Sequence, residues 1–324
     1  MPFVLSLARV LPLLVATAFA IPAGAQSFPT RPVRLVVHNN PGSALDVIAR
    51  QVSQKLGEQW KQPVVIDNRP GGGGIVGTEF VVKSAPDGHT LLAAGDGPTT
   101  ILPALGVPLP YNLKRDLAPI ASLGELDFVL VANPRTGFKT LRDFVEAAKK
   151  QPGRFNYASA GNGSPQHFAA EQLKQAAGIY VTHIPYSGGP AGMTGVIAHD
   201  VDVMFIAIAP SLQHIKAGRL VALATGGEHE HPLLPGVPPV GQTYKDFVAR
   251  TWLGLFAPVA TPRPVLDQLT ADAAKVLADP GLRTQLAAQG VTVTGYTGAK
   301  FEQILGAEAR RYEKLVKTVG IRSD

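Results

Sequence analysis

The chain has 324 residues, 45% of them hydrophobic and 17% charged, which is enough apolar material for a sizeable core and a length that suggests about two domains. The formal net charge is +6, but the basic residues are scattered and no basic stripe carries interleaved aromatics, which argues against nucleic acid as a partner. Cysteine is absent, which excludes disulfides, thiolate metal sites and a cysteine nucleophile or lipid anchor.

The first 25 residues read as a secretory leader. Arg9 supplies the positive start, Val10 to Ala20 is an apolar run too short to span a bilayer, and Ala23-Gly24-Ala25 is a cleavage signal. The expected cut precedes Gln26 and leaves an exported mature chain of formal charge +5. Beyond the leader, no segment reaches the ~18 apolar residues of a membrane-spanning helix.

From Val33 onward, strands alternate with helices. Val33 to Val37 is a strand, followed by the loop His38 to Ser43 and a helix with Leu45, Ile48, Ala49, Val52 and Leu56 on one face. Ser43 and Asp46 have the spacing of a capping box. Val64-Val65-Ile66 is the next strand, then a glycine run and a short helix through Phe80 and Val81; Thr90 to Ala94 is a further strand. Leu102 to Asp116 reads as a meandering, proline-rich connection, and Phe128 to Ala132 as a strongly apolar strand. Thr140 caps a helix carrying Leu141, Phe144, Val145 and Ala148.

Phe155 to Ser159 then enters a turn on Gly161 and Gly163. Ser164 is a good N-cap with Pro165 behind it, opening a helix with Phe168, Ala169, Leu173, Ala176 and Ala177. This second strand, glycine loop and capped helix repeats the device at Ser43. A bare helix N-terminus suits an anion. Further strands follow at Val181 to Ile184, Val201 to Phe205, Val221 to Ala224 and Thr251 to Phe256, with short helices between; two helices close the chain. The pattern predicts an α/β fold with a parallel-rich sheet.

Three motifs invite other chemistry. Gly72 to Gly77 fits a dinucleotide fingerprint, but Asp67 to Gly71 separates it from its strand, and an exported chain does not meet cytosolic NAD. Ser164 with His167 suggests a hydrolase, yet Asn162 and Gln166 stand where the nucleophile elbow has glycines; Ser164 reads as a cap and ligand donor, His167 as a brace. Glu228-His229-Glu230-His231 lies on a loop without a further ligand in view, and the other histidines show no metal-ligand spacing.

The motifs taken together resemble a known family. Pro41-Gly42 with Asp46 and Ala49-Arg50, Val65 to Gly71 with Gly74 and Gly77, and Pro86 to Leu92 are similar to its first signatures. Gly161 to Pro165 with His167, Pro185 to Gly188 with Pro190-Ala191, Val201 to Phe205, His214 to Gly218 and Leu255 to Pro258 are similar to the rest. The mature chain resembles, over its whole length, the periplasmic receptors of tripartite tricarboxylate transporters, the Bug receptors.

That resemblance implies a two-lobed Venus-flytrap fold of the type II periplasmic-binding kind, with two mixed sheets joined by two crossing strands. Lobe one is expected at 26–127 plus 254–324 and lobe two at 128–253. It implies a monomeric, non-catalytic receptor without cofactor that holds a small organic acid and delivers it to membrane permease subunits. An exported α/β enzyme and a ligand-sensing signalling receptor are the rival readings. The expected ligand residues are Asn39, Gly42, Ser43, Asp46 and Asn68 in lobe one. In lobe two they are Ser159, Gly161, Asn162, Gly163, Ser164, His167, Tyr186, Ser187, Gly188 and Ile206. Family members usually carry Pro-Phe where this chain has His38-Asn39, glycine at Ser43, and an acid at Ile206. With no acid at 206 to answer an ammonium group, the expected ligand is a carboxylate without an amino group, its apolar part toward Ile206.

Overall fold

The computed structural model describes residues 28–319. The leader at 1–25 lies outside the described residues. The first stretch runs β1 (Val33–Val37), α1 (Ala44–Trp60), β2 (Val64–Asn68), α2 (Ile75–Val82), β3 (Thr90–Ala94), α3 (Leu102–Ala104), α4 (Leu113–Asp116) and β4 (Leu117–Ala132). The middle runs α5 (Leu141–Lys150), β5 (Asn156–Ser159), α6 (Pro165–Ala177), β6 (Thr182–Pro185), α7 (Gly189–Ala198), β7 (Val203–Ala207), α8 (Ile208–Lys216) and β8 (Val221–Thr225). β9 (Arg250–Pro258), α9 (Arg263–Leu277), α10 (Pro280–Ala287), β10 (Val291–Thr292) and α11 (Gly298–Val319) complete it.

Two mixed sheets share one strand. In the first, the order is β2-β1-β3-β9-β4, with β10 on the other edge of β4; β1, β2 and β3 are parallel, while β9 is antiparallel to both β3 and β4. In the second, β4 pairs antiparallel with β7 and β8, and β7, β5 and β6 run parallel. The exchange happens between adjacent residues: Asp127 pairs with Arg250 in the first sheet, and Phe128 pairs with Ala207 in the second. This is the two-lobed architecture of periplasmic binding proteins.

The parallel core strands are apolar because helices cover both of their faces. On β1, Val33, Leu35 and Val37 pack with Ile48, Ala49, Val52 and Leu56 of α1. Val36 points the other way, into a cluster with Val81, Leu92, Phe256 and Phe301. A fully buried aliphatic or aromatic side chain contributes about 1.5–3 kcal/mol.

Two parts of the sequence reading are corrected. The stretch expected to meander from Leu102 contains α3 and α4, and β4 starts at Leu117 rather than at Phe128. The first half of β4 is interrupted by register shifts at Pro119/Ala121 and Ser122/Gly124. Proline has no N–H for the ladder, and bulges break the side-chain alternation by which a strand is recognised.

α11 touches both lobes. Phe301 and Leu305 pack against Trp252 and Phe256 of the first sheet. Further along, the Tyr312 ring meets Phe168 of α6 edge-on, centroids 5.5 Å apart, with Ile101 completing a small buried cluster.

Candidate functional site

The first βα turn is built by local chemistry. Gly42 takes φ 77°, a left-handed angle that favours glycine. Ser43 caps α1 by accepting from the Asp46 N–H at 3.2 Å. Asp46 answers one residue early, accepting from the Gly42 N–H at 2.9 Å, and also from Arg50 Nε at 2.9 Å and Asn68 Nδ2 at 2.8 Å. Burial opposes ionisation of Asp46, but these bonds from Arg50, Asn68 and Gly42 outweigh it and hold the carboxyl below its ordinary range. His38 is buried behind the same turn, and its Nε2 accepts from the Gly95 N–H at 2.9 Å. Desolvation lowers its pKa to about 4, so the ring is neutral at physiological pH.

The second turn is backed by an aromatic stack. The Ser159 hydroxyl accepts from the Gly161 N–H at 3.0 Å and lies 2.6 Å from His183 Nε2. The His183 ring stacks on His167 at 4.1 Å and on Tyr157 at 4.8 Å. His167 Nδ1 accepts from the Gly163 N–H at 3.2 Å, which assigns the ring proton to Nε2. Ser164 caps α6 by accepting from the His167 N–H at 3.3 Å. Burial lowers the pKa of both histidines, that of His183 to about 4 with the adjacent His167 adding to the effect. A side chain at Gly163 would be strained at φ 71°, and its Cβ would displace Leu102 of the facing lobe, whose Cδ2 lies 2.8 Å from that position.

These turns face each other across a cleft of about 680 Å³. Asn39, Gly42, Ser43, Gly161, Asn162, Ser164, Tyr186, Ser187, Gly188 and Ile206 line it. Asp46, Asn68, Ser159, Gly163 and His167 stand behind the wall, their polar groups engaged in holding the loops just described. Leu45, Leu102, Val107, Phe128, Ile206 and Ala207 make an apolar portion of the lining. No lysine or arginine is among the lining residues. The mouth is bridged where Asn40 Nδ2 donates to the Ser187 carbonyl at 2.7 Å. Asn40, Asp96, Phe128 and Thr251 were not anticipated at this wall; Phe128 and Thr251 carried a signal, each as the first residue of an apolar strand.

The Glu228 to His231 loop braces itself: Glu230 accepts from the Gly236 N–H, and His231 Nδ1 from the Leu233 N–H at 3.2 Å. Among the described residues, no group of three or more His, Asp or Glu is placed to hold a metal ion.

A family model described as tripartite tricarboxylate transporter family receptor matches residues 48–321. The chain belongs to this family. The receptor is 32% identical over 323 residues to protein BugT of Bordetella pertussis, an alignment covering 98% of each chain. A solved R. palustris protein with adipate superposes with a TM-score of 0.88 at 25% identity, covering 91% of this receptor and 99% of that chain. MatC from Rhodopseudomonas palustris with bound malate superposes with a TM-score of 0.83 at 28% identity, covering 89% and 100%. Family and fold are those of periplasmic solute-binding receptors.

Proposed function

We propose that this receptor holds a small organic carboxylate without an amino group between the N-termini of α1 and α6, and passes it to membrane permease subunits. The observation that carries the reading is the lining of the cleft. Two capped helix ends converge with hydroxyl and amide donors from Ser43, Asn39, Asn162 and Ser164. Each helix end favours an anion by ~0.3–1 kcal/mol, more when desolvated. Ile206, 3% exposed, leaves lobe two without the carboxylate that would answer an ammonium group there, and with Phe128 and Ala207 it offers hydrocarbon to the rest of the ligand. The adipate and malate in the two R. palustris relatives are amine-free carboxylates and support the same class.

The receptor acts without turnover. The Ser164 hydroxyl is occupied as a helix cap and His167 Nδ1 is occupied by a backbone N–H, which leaves no activated nucleophile in this pair. The lobes divide at 127/128 and, since β9 pairs in the first sheet from Arg250 onward, at 249/250 rather than at the expected 253/254; the receptor works as a monomer in the periplasm, and its mature N-terminus is Gln26. The exchange of sheets at 127/128 supports the first of these boundaries. Mass spectrometry of the native protein checks the N-terminus.

A thermal-shift screen of organic acids on protein unfolded and refolded to strip bound ligand tests the reading. An acid at 100 times its Kd adds about 2.7 kcal/mol of stability. Glutamate or aspartate binding more tightly than every amine-free acid would overturn it.

A further inference from the structure

The cleft contains a carboxyl group that accepts no hydrogen bond from a cation. Asp96 follows β3, is 1% exposed and lines the cleft. It stands beside the α1 cradle: a Cβ on its neighbour Gly95 would lie 3.2 Å from Leu45 Cδ1 in the first turn of that helix. One carboxylate oxygen accepts from the Thr251 hydroxyl and, at 3.4 Å, from the Trp252 N–H, both on β9. The other accepts from the Tyr312 hydroxyl of α11 at 2.8 Å.

The remaining charged and titratable neighbours do not neutralise it. Arg311 of α11 is close enough to interact with Asp96 electrostatically, but it is directed to Glu308 at 2.9 Å, whose charge opposes that help, and to the Val248 carbonyl at 3.0 Å; neither Arg311 nor Glu308 lines the cleft. His38, at the end of β1, reaches this corner only through the Gly95 N–H and is neutral. An organic anion seated at α1 therefore brings a second negative charge to a buried one. Two like charges close together in a desolvated site do not both remain ionised.

The partners of Asp96 suit either protonation state. Both side-chain partners are hydroxyls, which donate to a carboxylate and turn to accept from a carboxylic acid. A proton on the oxygen facing Tyr312 reverses that bond: Tyr312 accepts instead of donating and its own O–H gives up Asp96 as acceptor, while Thr251 and Trp252 continue to donate to the other oxygen.

We propose that the organic anion enters this cleft together with one solvent proton, and that Asp96 holds the proton. The inference rests on the carboxylate reading above. Burial, with Glu308 adding to it, already lifts the Asp96 pKa to about 6 in spite of the bonds from Thr251 and Tyr312. Between pH 6 and 8, His38 and His183 stay neutral, since burial holds both near 4. Free carboxylic acids, at about 4–5, stay ionised there too.

Calorimetry of the ligand-stripped mature receptor with adipate and with benzoate, in phosphate and in Tris at pH 7, measures proton exchange directly. If the bound anion raises the acid by about two units, uptake is about 0.8 proton per site. Affinity then falls up to tenfold per pH unit from about pH 6 to 8. Asp96→Asn should bind without uptake and lose the pH dependence. Tyr312→Phe, which removes a bond favouring the carboxylate, should shift the fall in affinity to higher pH. Binding of either acid with no buffer-dependent heat and a flat affinity from pH 6 to 8 would overturn the proton inference alone. Failure of both acids to bind at millimolar concentration would count against the carboxylate reading beneath it.

Discussion

Neutral buried histidines make the receptor sensitive to acid. His38 has an ordinary pKa of 6.5 when unfolded and about 4 when folded, so the folded state binds fewer protons between those values. Its stabilising contribution is complete above pH 6.5 and is lost as pH falls toward 4, on the order of 3 kcal/mol. His183 acts in the same direction, its pKa also lowered to about 4. Asp96 opposes them: its folded pKa near 6 means that its ionised form burdens the fold above that pH, a burden relieved as pH falls toward 3.8. With two histidines against one acid, the urea midpoint should fall from pH 7 to 4.5. In His38→Gln, which keeps an acceptor for Gly95, the fall should shrink; an unchanged fall would rule His38 out as its source. At the cleft wall, Ile206→Asp should weaken an amine-free acid at least tenfold, roughly the effect of one unpaired like charge. Titration calorimetry showing equal or tighter binding would refute the placement of hydrocarbon there. Local chemistry made much of this wall legible: Ser43, Ser164, Pro165 and the glycines declare their turns within a few residues. The hydrogen bonds of Asp96 were not legible, because Thr251 and Tyr312 lie 155 and 216 residues away in sequence.

Among the elements, α1 and α6 were readable from their caps and periodicity, and α9 from its apolar face. α10 was not read, β10 was missed because it has two residues, and the first half of β4 because its bulges erase the alternation. Caps are local, whereas a strand interrupted by proline and glycine is recognised only once its partner is present. The helix that matters most beyond the cleft is α11. Phe301, fully buried against Trp252 and Phe256, anchors its first half. Phe301→Ala should cost about 3–5 kcal/mol of stability. A loss below 1 kcal/mol in equilibrium unfolding would show that this anchor is dispensable.

At the scale of the whole molecule, contacts cross the cleft in this structure. Asn40 bridges to Ser187, Leu102 packs on Gly163, and Tyr312 meets Phe168. Opening works against these contacts, while β4 passes as one chain from the first sheet into the second. Hinge closure of this kind takes microseconds to milliseconds. Small-angle scattering should show a larger radius of gyration for the ligand-stripped receptor than for the receptor saturated with acid, and an identical profile would argue against hinge motion. Asn40→Ala should leave the fold intact and shift the ligand-free profile further toward the open form.

The strand exchange has one more consequence. The Phe128 N–H donates to the Ala249 carbonyl at 3.1 Å, so the stretch from 128 to 249 departs from and returns to a single point. Topologically it is a cassette inserted into a host domain. Recombination at those two positions would move one wall of the binding site between relatives and leave the other wall in place. Such chimaeras offer a route by which half of a specificity could be inherited separately from the other half.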